Sequence, residues 1–307
     1  MPAASHQLAV VVNDRKARNA FAVLLLGAAS IALAPIFVRL SVIGPVPTAF
    51  WRAALAVPFL SALVPVFPAE RGKARWPQRP QHLLGFTVAG LMFAGDLSFW
   101  HLSIAYTTVA NSTLFANMAP IFVTVFGFVL FGTRFTRLFL SGMALALVGA
   151  VVLMGDSLTV APQHVLGDAL GLVTAMFYGA YFIAIARLRV HYGAVTVMAL
   201  ATPFTALFLI PPTLMSAGPY LPDGLHGWAV LLALAVVSQS LGQGLIAYAF
   251  AHLPAAFGSV SLLLQPVLSA VFAWVLFDEA LGPLQGLGMA IVLAGVLIAR
   301  QGTLVSR

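Results

Sequence analysis

The sequence predicts an all-α integral membrane protein: ten transmembrane helices arranged as two inverted five-helix repeats. Three observations predict it. Hydrophobic residues make up 61% of the chain and charged residues only 7%, with a mean hydropathy of +1.02. A soluble domain carries about 25% charged residues and has no means of hiding this much apolar surface. The apolar residues fall into stretches of the ~20 residues that a helix needs to cross a bilayer. The second set of stretches also repeats the first at a fixed offset.

The ten spans are read at about 20–42, 47–66, 83–105, 108–131, 137–155, 167–187, 194–215, 227–250, 254–277 and 283–300. Turn chemistry separates them. Gly44-Pro45 follows the first, Gly72 through Pro80 the second, Gly155-Asp156 the fifth, Pro222-Asp223-Gly224 the seventh and Gly282-Pro283 the ninth. Several gaps hold only a few residues, which makes consecutive helices antiparallel neighbours. The first span follows Arg15, Lys16 and Arg18. It is longer than the apolar core of a signal peptide and no clear cleavage site follows, so it is read as a retained helix. Arg71, Lys73, Arg75 and Arg79, then Arg134 and Arg137, Arg187 and Arg189, and Arg300 and Arg307 all fall in gaps on the same side as the N-terminal tail. The alternate gaps hold no Lys or Arg. By the positive-inside rule both termini are cytoplasmic. The net charge of +7 is therefore read as a topology signal and not as a nucleic-acid footprint. There is no cysteine, which excludes disulfides, thiolate metal sites and a Cys nucleophile.

Residues 120–131 read PIFVTVFGFVLF and residues 266–277 read PVLSAVFAWVLF, an offset of 146. The register runs on without a gap from GMALALVG at 142–149 to GMAIVLAG at 288–295, and Ala105-Tyr106 matches Ala251-His252. A prolonged register through Pro, Gly and a turn marks a duplication. Five helices per half place the halves in opposite orientations, as in transporters that bind solute near the midplane between repeats. The expected division is a tail at 1–19, repeats at 20–155 and 167–301, a linker at 156–166 and a tail at 302–307. Pro35, Pro58, Pro120, Pro203 and Pro266 lie within spans and are expected to kink them or only to shape packing.

The stretches APIFVRLS at 34–41, AFWRAALAVP at 49–58, GDLSFWHLSIAYTTVANSTLFANMAPIFVTVFGFVLFG at 95–132 and AYAFAHLPAAFGSVSLLLQPVLSAVFAWVLFDEALG at 247–282 resemble the EamA-type drug/metabolite transporter superfamily, over nearly the whole chain. The resemblance implies ten helices, two repeats, no cofactor, and export of small metabolites across a bacterial inner membrane. The best-understood branch of the family exports aromatic and other amino acids. Members often carry a Glu after the fourth helix, where this chain has Thr133; the second half keeps an acid at Glu279. Transport here is thus not expected to need an acid at the first turn.

The polar residues inside spans are the candidate site. Asp96 lies 13 residues beyond Leu83, roughly 20 Å from the cytoplasmic face of a ~30 Å core. Arg52 enters from the other side and lies about 8 Å deep. Intramembrane charges find partners, so the two are expected to share the outer half of a cavity and to pair, with Arg39 as a competitor. Asp96 then locks helices two and three, contacts a zwitterionic or cationic solute, or takes up a proton. Phe93, Asp96 and Trp100 share one face of a regular helix. At the offset of 146 they map to Gln239, Gly242 and Ile246, which puts Gln239 and Gln243 near the opposite wall. Asn111 and Asn117 are read as ligand contacts or interhelical bridges, and Gln265 as a partner for a carbonyl freed by Pro266. One of Tyr178 and Tyr181 faces the cavity, where Trp100, Tyr178 and Phe93 stack on a solute or instead meet lipid. His101 and His252 lie near helix ends, and Asp278 and Glu279 at the outer end of the ninth helix.

No catalytic or metal site is expected, because HExxH, GxSxG, a P-loop and a His/carboxylate cluster are all missing. The loops are too small for a scaffold or receptor. The expected function is export of small organic metabolites, amino acids foremost, by alternating access; the alternative is proton-coupled export of cationic compounds. The partners are a small solute and the bilayer, without nucleic acid, and a monomer suffices because both halves lie in one chain.

Overall fold

A computed structural model describes residues 15–304, apart from 68, 69, 71, 75, 78, 156, 157, 159, 160 and 278–280. Arg71, Arg75, Asp278, Glu279 and Arg307 therefore lie outside the described residues. Ten helices are long and apolar enough to cross a membrane: α1 (Lys16–Leu40), α2 (Pro45–Val66), α3 (Pro80–Tyr106), α4 (Asn111–Phe131), α5 (Arg137–Met154), α6 (Pro162–His191), α7 (Ala194–Met215), α8 (Gly224–Ala249), α9 (Ala255–Leu276) and α10 (Pro283–Thr303). Among the described residues the only β-pairing is one isolated bridge, Ala74 with Tyr192.

Helix starts follow local chemistry. Pro45 and Pro80 open α2 and α3, where a missing N–H costs nothing. Thr136 caps α5, its hydroxyl accepting from the Phe139 N–H at 3.1 Å. Gly132 ends α4 at φ 64°, a left-handed conformation that glycine adopts without strain.

Three helices are interrupted, each just ahead of a proline. α1 breaks at Leu33, before Pro35. α4 breaks at Asn117-Met118, before Pro120, and α9 at Leu262-Leu263, before Pro266. Proline cannot donate to the carbonyl four residues back. The Leu262 carbonyl is served instead by the Gln265 N–H at 2.9 Å. Pro58 and Pro203 sit inside unbroken helices, so among the five prolines expected to bend spans these two do not break theirs. α8 departs from the α pattern differently: Leu234–Gly242 is π-helical.

The packing obeys the sequence duplication. α2 packs on α7 and α5 on α10, each helix on its own repeat partner. The α3–α6 contact is mirrored by α8–α1, and α4–α6 by α9–α1. Glycines make the α5–α10 seam. A β-carbon added at Gly142 would strike the backbone of Ala299, and one at Gly288 that of Leu153; Gly149 and Val292 are matched by Gly295 and Ala146. Each contact becomes the other when its members are shifted by 146 residues and exchanged. The register is thus that of an internal two-fold, and the two backbones touch. Helices in a bilayer gain little from burying apolar surface against each other, because the lipid is equally apolar, so close backbone approach at small residues is what associates them. On α4 and α9 some large side chains face outward: Phe128, Val129, Leu130 and Leu276 are all more than half exposed, as a lipid-facing surface requires.

Replacing Gly149 or Gly295 with valine is expected to part α5 from α10 at a cost of about 1–3 kcal/mol or more. Gly244→Ala, whose added carbon meets nothing within 4 Å, is expected to leave stability unchanged or slightly raised. Thermal unfolding of the detergent-solubilised variants checks both; equal melting temperatures would remove the seam from the argument.

Candidate functional site

The three helix breaks converge. Ala32, Ala34 and Pro35 of α1, Ala116 and Asn117 of α4, and Gln265 and Pro266 of α9 line one cavity of about 110 Å³. Arg52, Phe93, Asp96, Trp100, Tyr178 and Gln243 complete most of its wall. Irregular backbone is tolerated at membrane depth only where protein or a cavity takes up its polar groups. Ser269 donates to the Ala32 carbonyl at 3.1 Å, and Asn117 donates to the Thr113 carbonyl at 2.8 Å. Pro35 and Pro120 leave the Ile31 and Ala116 carbonyls without their helical donors, and both residues border the cavity.

The expected ion pair between Arg52 and Asp96 does not form. The Arg52 Nε–H donates to Gln239 Oε1 at 3.0 Å, and the guanidinium lies over the Phe93 ring, 5.7 Å from its centre. Asp96 makes no hydrogen bond or ion pair among the described residues, although it is only 7% exposed. Its carboxylate therefore borders the cavity without a protein partner, and Arg52 is held back by two neighbours. Phe93 stacks on Tyr181 at 4.5 Å and lies 6.4 Å from Tyr178. Tyr178 is the tyrosine that reaches the cavity, and its hydroxyl accepts from Gln243 Nε2 at 3.4 Å.

Two expected wall residues lie elsewhere. Gln239 is fully buried and turned to Arg52, outside the cavity. The π-helical turns of α8 carry more than 3.6 residues each, so a face projected from α3 by a constant offset slips. Of the two glutamines expected at this wall, Gln243 reaches the cavity and Gln239 does not. Asn111 sits at the start of α4, where its side chain donates to Asp168 Oδ1 at 3.0 Å beside Thr107, which donates to the same oxygen at 2.7 Å. It is a bridge between α4 and α6 and not a cavity group. His101 is buried against the Leu97 carbonyl, with Nδ1 at 2.6 Å. Arg39 is exposed and away from the cavity.

Sequence reasoning treated Arg189 only as a topology charge. It is completely buried and ties four segments together. Nη2 pairs with Glu70 Oε2 at 2.8 Å, Nε–H donates to the Ala247 carbonyl at 2.8 Å, and Nη1 donates to the Tyr192 carbonyl. Glu70 also accepts from the Ala194 N–H at 2.8 Å, and Lys73 Nζ donates to the Arg189 carbonyl at 2.9 Å. Burial, and then the Arg189 guanidinium, draw the Lys73 ammonium below its usual range, against the pull of Glu70. This latch lies at the end of α6 opposite Asp168 and joins the two repeats.

Ten spans, an inverted repeat and a polar cavity between the halves define a membrane transporter. The chain belongs to the EamA-like transporter family, whose model matches residues 19–155 and 165–301. It is 27% identical to an uncharacterised transporter of Archaeoglobus fulgidus over 86% of this chain and 91% of that one. It is 28% identical to the pseudopaline exporter CntI of Pseudomonas aeruginosa, over 69% of this chain and 74% of the other. A probable terminal-alkyne amino-acid exporter of Streptantibioticus cattleyicolor is 28% identical over 65% of this chain and 66% of its own. One solved crystal structure shares the fold at a TM-score of 0.76 and 18% identity, covering 92% of this chain and 96% of that one.

Arg189→Met is expected to cost at least ~1–3 kcal/mol, the penalty of one stranded buried acceptor, and Glu70→Gln less, because Glu70 keeps solvent contact. Melting of the purified variants in detergent checks the order; Glu70→Gln proving the worse would contradict this account of the latch.

Proposed function

We propose that this transporter exports small zwitterionic metabolites, aromatic and other neutral amino acids foremost, from the bacterial cytoplasm across the inner membrane. One observation carries the reading: an unpartnered carboxylate, Asp96, and a guanidinium, Arg52, border one cavity without meeting. A carboxylate buried without a partner is costly, and a solute ammonium relieves that cost. The Ile31 and Ala116 carbonyls, freed by Pro35 and Pro120, add acceptors beside the cavity. The substrate carboxylate goes to the Arg52 Nη groups, which suit bidentate binding. The names of two relatives, a pseudopaline exporter and a probable amino-acid exporter, agree with this class. Alternating access follows from rocking one repeat against the other, with both termini cytoplasmic, and one chain suffices. The second reading, a proton-coupled exporter of cations, draws on the Phe93, Trp100 and Tyr178 rings beside a single carboxylate.

Purified protein in liposomes is expected to take up labelled phenylalanine, tryptophan, threonine and methionine saturably. Asp96→Asn and Arg52→Gln are each expected to reduce kcat/KM at least tenfold while melting as cooperatively as the parent. Uptake unchanged by a pH gradient would make Asp96 a substrate group and not a proton carrier. Uptake of lipophilic cations alone would replace the amino-acid reading with the second one.

A further inference from the structure

The two repeats bring different chemistry to the cavity. Both charges, Arg52 and Asp96, come from the first repeat. The second repeat supplies Tyr178, Gln243 and Gln265, all neutral hydrogen-bonding groups. At the repeat offset, Asp96 corresponds to Gly242 and Arg52 to Met198, whereas Gln243 corresponds to Leu97 and Gln265 to Ala119. None of these four groups has a polar counterpart in the other half.

Two atoms of this second set are stranded. Gln243 Oε1 and Gln265 Nε2 are buried with no hydrogen-bond partner, and both side chains belong to the cavity wall. Gln243 Nε2 is spent on the Tyr178 hydroxyl. Gln265 lies beside the same hydroxyl, but its Nε2 does not reach hydrogen-bond geometry. Turning the Gln243 amide over would let the hydroxyl donate to Oε1 and strand Nε2 instead, so either setting leaves one amide atom unused. Each such atom carries a desolvation cost, which an apolar side chain of similar size would not incur.

We infer that Gln243 and Gln265 form a subsite that reads the substrate's side chain and selects a neutral hydrogen-bonding one, a hydroxyl or a carboxamide, over an apolar one of equal size. The inference rests on the zwitterion reading: Asp96 and Arg52 hold the ammonium and the carboxylate, and the amides meet what projects from the α-carbon. Gln243 Oε1 accepts from the side-chain donor, and Gln265 Nε2 donates to its oxygen. A threonine hydroxyl satisfies both at once. Valine has the same shape and satisfies neither. A site built to hydrogen-bond a hydroxyl rejects the analogue that lacks it far more strongly than a hydrophobic pocket separates two isosteres.

The test is a competition in liposomes between labelled threonine and valine, first with the parent protein and then with Gln243→Leu, Gln265→Leu and the double variant. The parent is expected to favour threonine by at least about tenfold in kcat/KM, and each leucine to bring the ratio toward one, the double variant furthest. The parent ratio stands even if a variant fails to fold. Transport of both solutes by the parent at a ratio near one would overturn the subsite and leave the zwitterion reading intact. A threonine preference that survives the double substitution would overturn it too. Transport of neither solute, with neither competing against labelled phenylalanine, tryptophan or methionine, would overturn the subsite alone where those are taken up, and the zwitterion reading with it where none is.

Discussion

Hydrocarbon offers no hydrogen bonds, and every other feature of this molecule depends on that. A backbone N–H or C=O left unpaired in the bilayer core costs several kcal/mol, so a spanning helix breaks only where something polar lies alongside. α1, α4 and α9 all break, and all three breaks open on the same cavity. The prolines explain why the helices yield at those points. Pro58 and Pro203 show that a proline alone is not enough, since α2 and α7 continue through them. The cavity and the breaks therefore go together: the cavity takes up what the helices release, and the release adds backbone acceptors to its side-chain groups.

The duplication supplies the frame and not the chemistry. The α5–α10 seam keeps the internal two-fold in register, with Gly142 against Ala299 answered by Gly288 against Leu153. Close backbone contact holds those helices where they are, so they suit a fixed axis. Around the cavity the symmetry is kept only in part, in the paired breaks of α4 and α9 before Pro120 and Pro266. α1 breaks, while its repeat partner α6 runs unbroken to His191; α8 contains a π segment, while α3 is regular. Divergence falls among the helices that line the cavity, while the α5–α10 seam stays symmetric.

The spans, their breaks near prolines and the repeat were legible because each is a one-dimensional signal: length, composition and spacing. Asp96, Phe93, Trp100 and Tyr178 were legible as cavity residues for a related reason, since polar and aromatic groups at mid-depth on regular helices keep a constant phase. Gln239 was not. Its assignment assumed that α8 winds like α3, and a π segment has no compositional signature. Partner choice was equally hidden. The distance along the membrane normal suggested that Arg52 meets Asp96, but rotation about the helix axes decides it, and Arg52 turns to Gln239. Asn111 and Arg189 failed for the same reason, because Asp168 and Glu70 are 57 and 119 residues away in the chain.

Arg189 also shows why the two charge sites are built so differently. A buried guanidinium is tolerable when its donors are matched, and this one meets Glu70, the Ala247 carbonyl and the Tyr192 carbonyl. It ties segments of the two repeats together, and such a tie strengthens with every donor satisfied. Asp96 lacks any such shell, and supplying one would remove its use. A carboxylate already paired with Arg52 would offer a solute only an exchange of one partner for another, near zero in net free energy. On the proposed zwitterion reading, the two charges, left apart with Arg52 restrained by Gln239 and Phe93, keep their desolvation cost until a solute carrying both signs meets them. The instability of the empty cavity and its capacity to bind are then the same quantity.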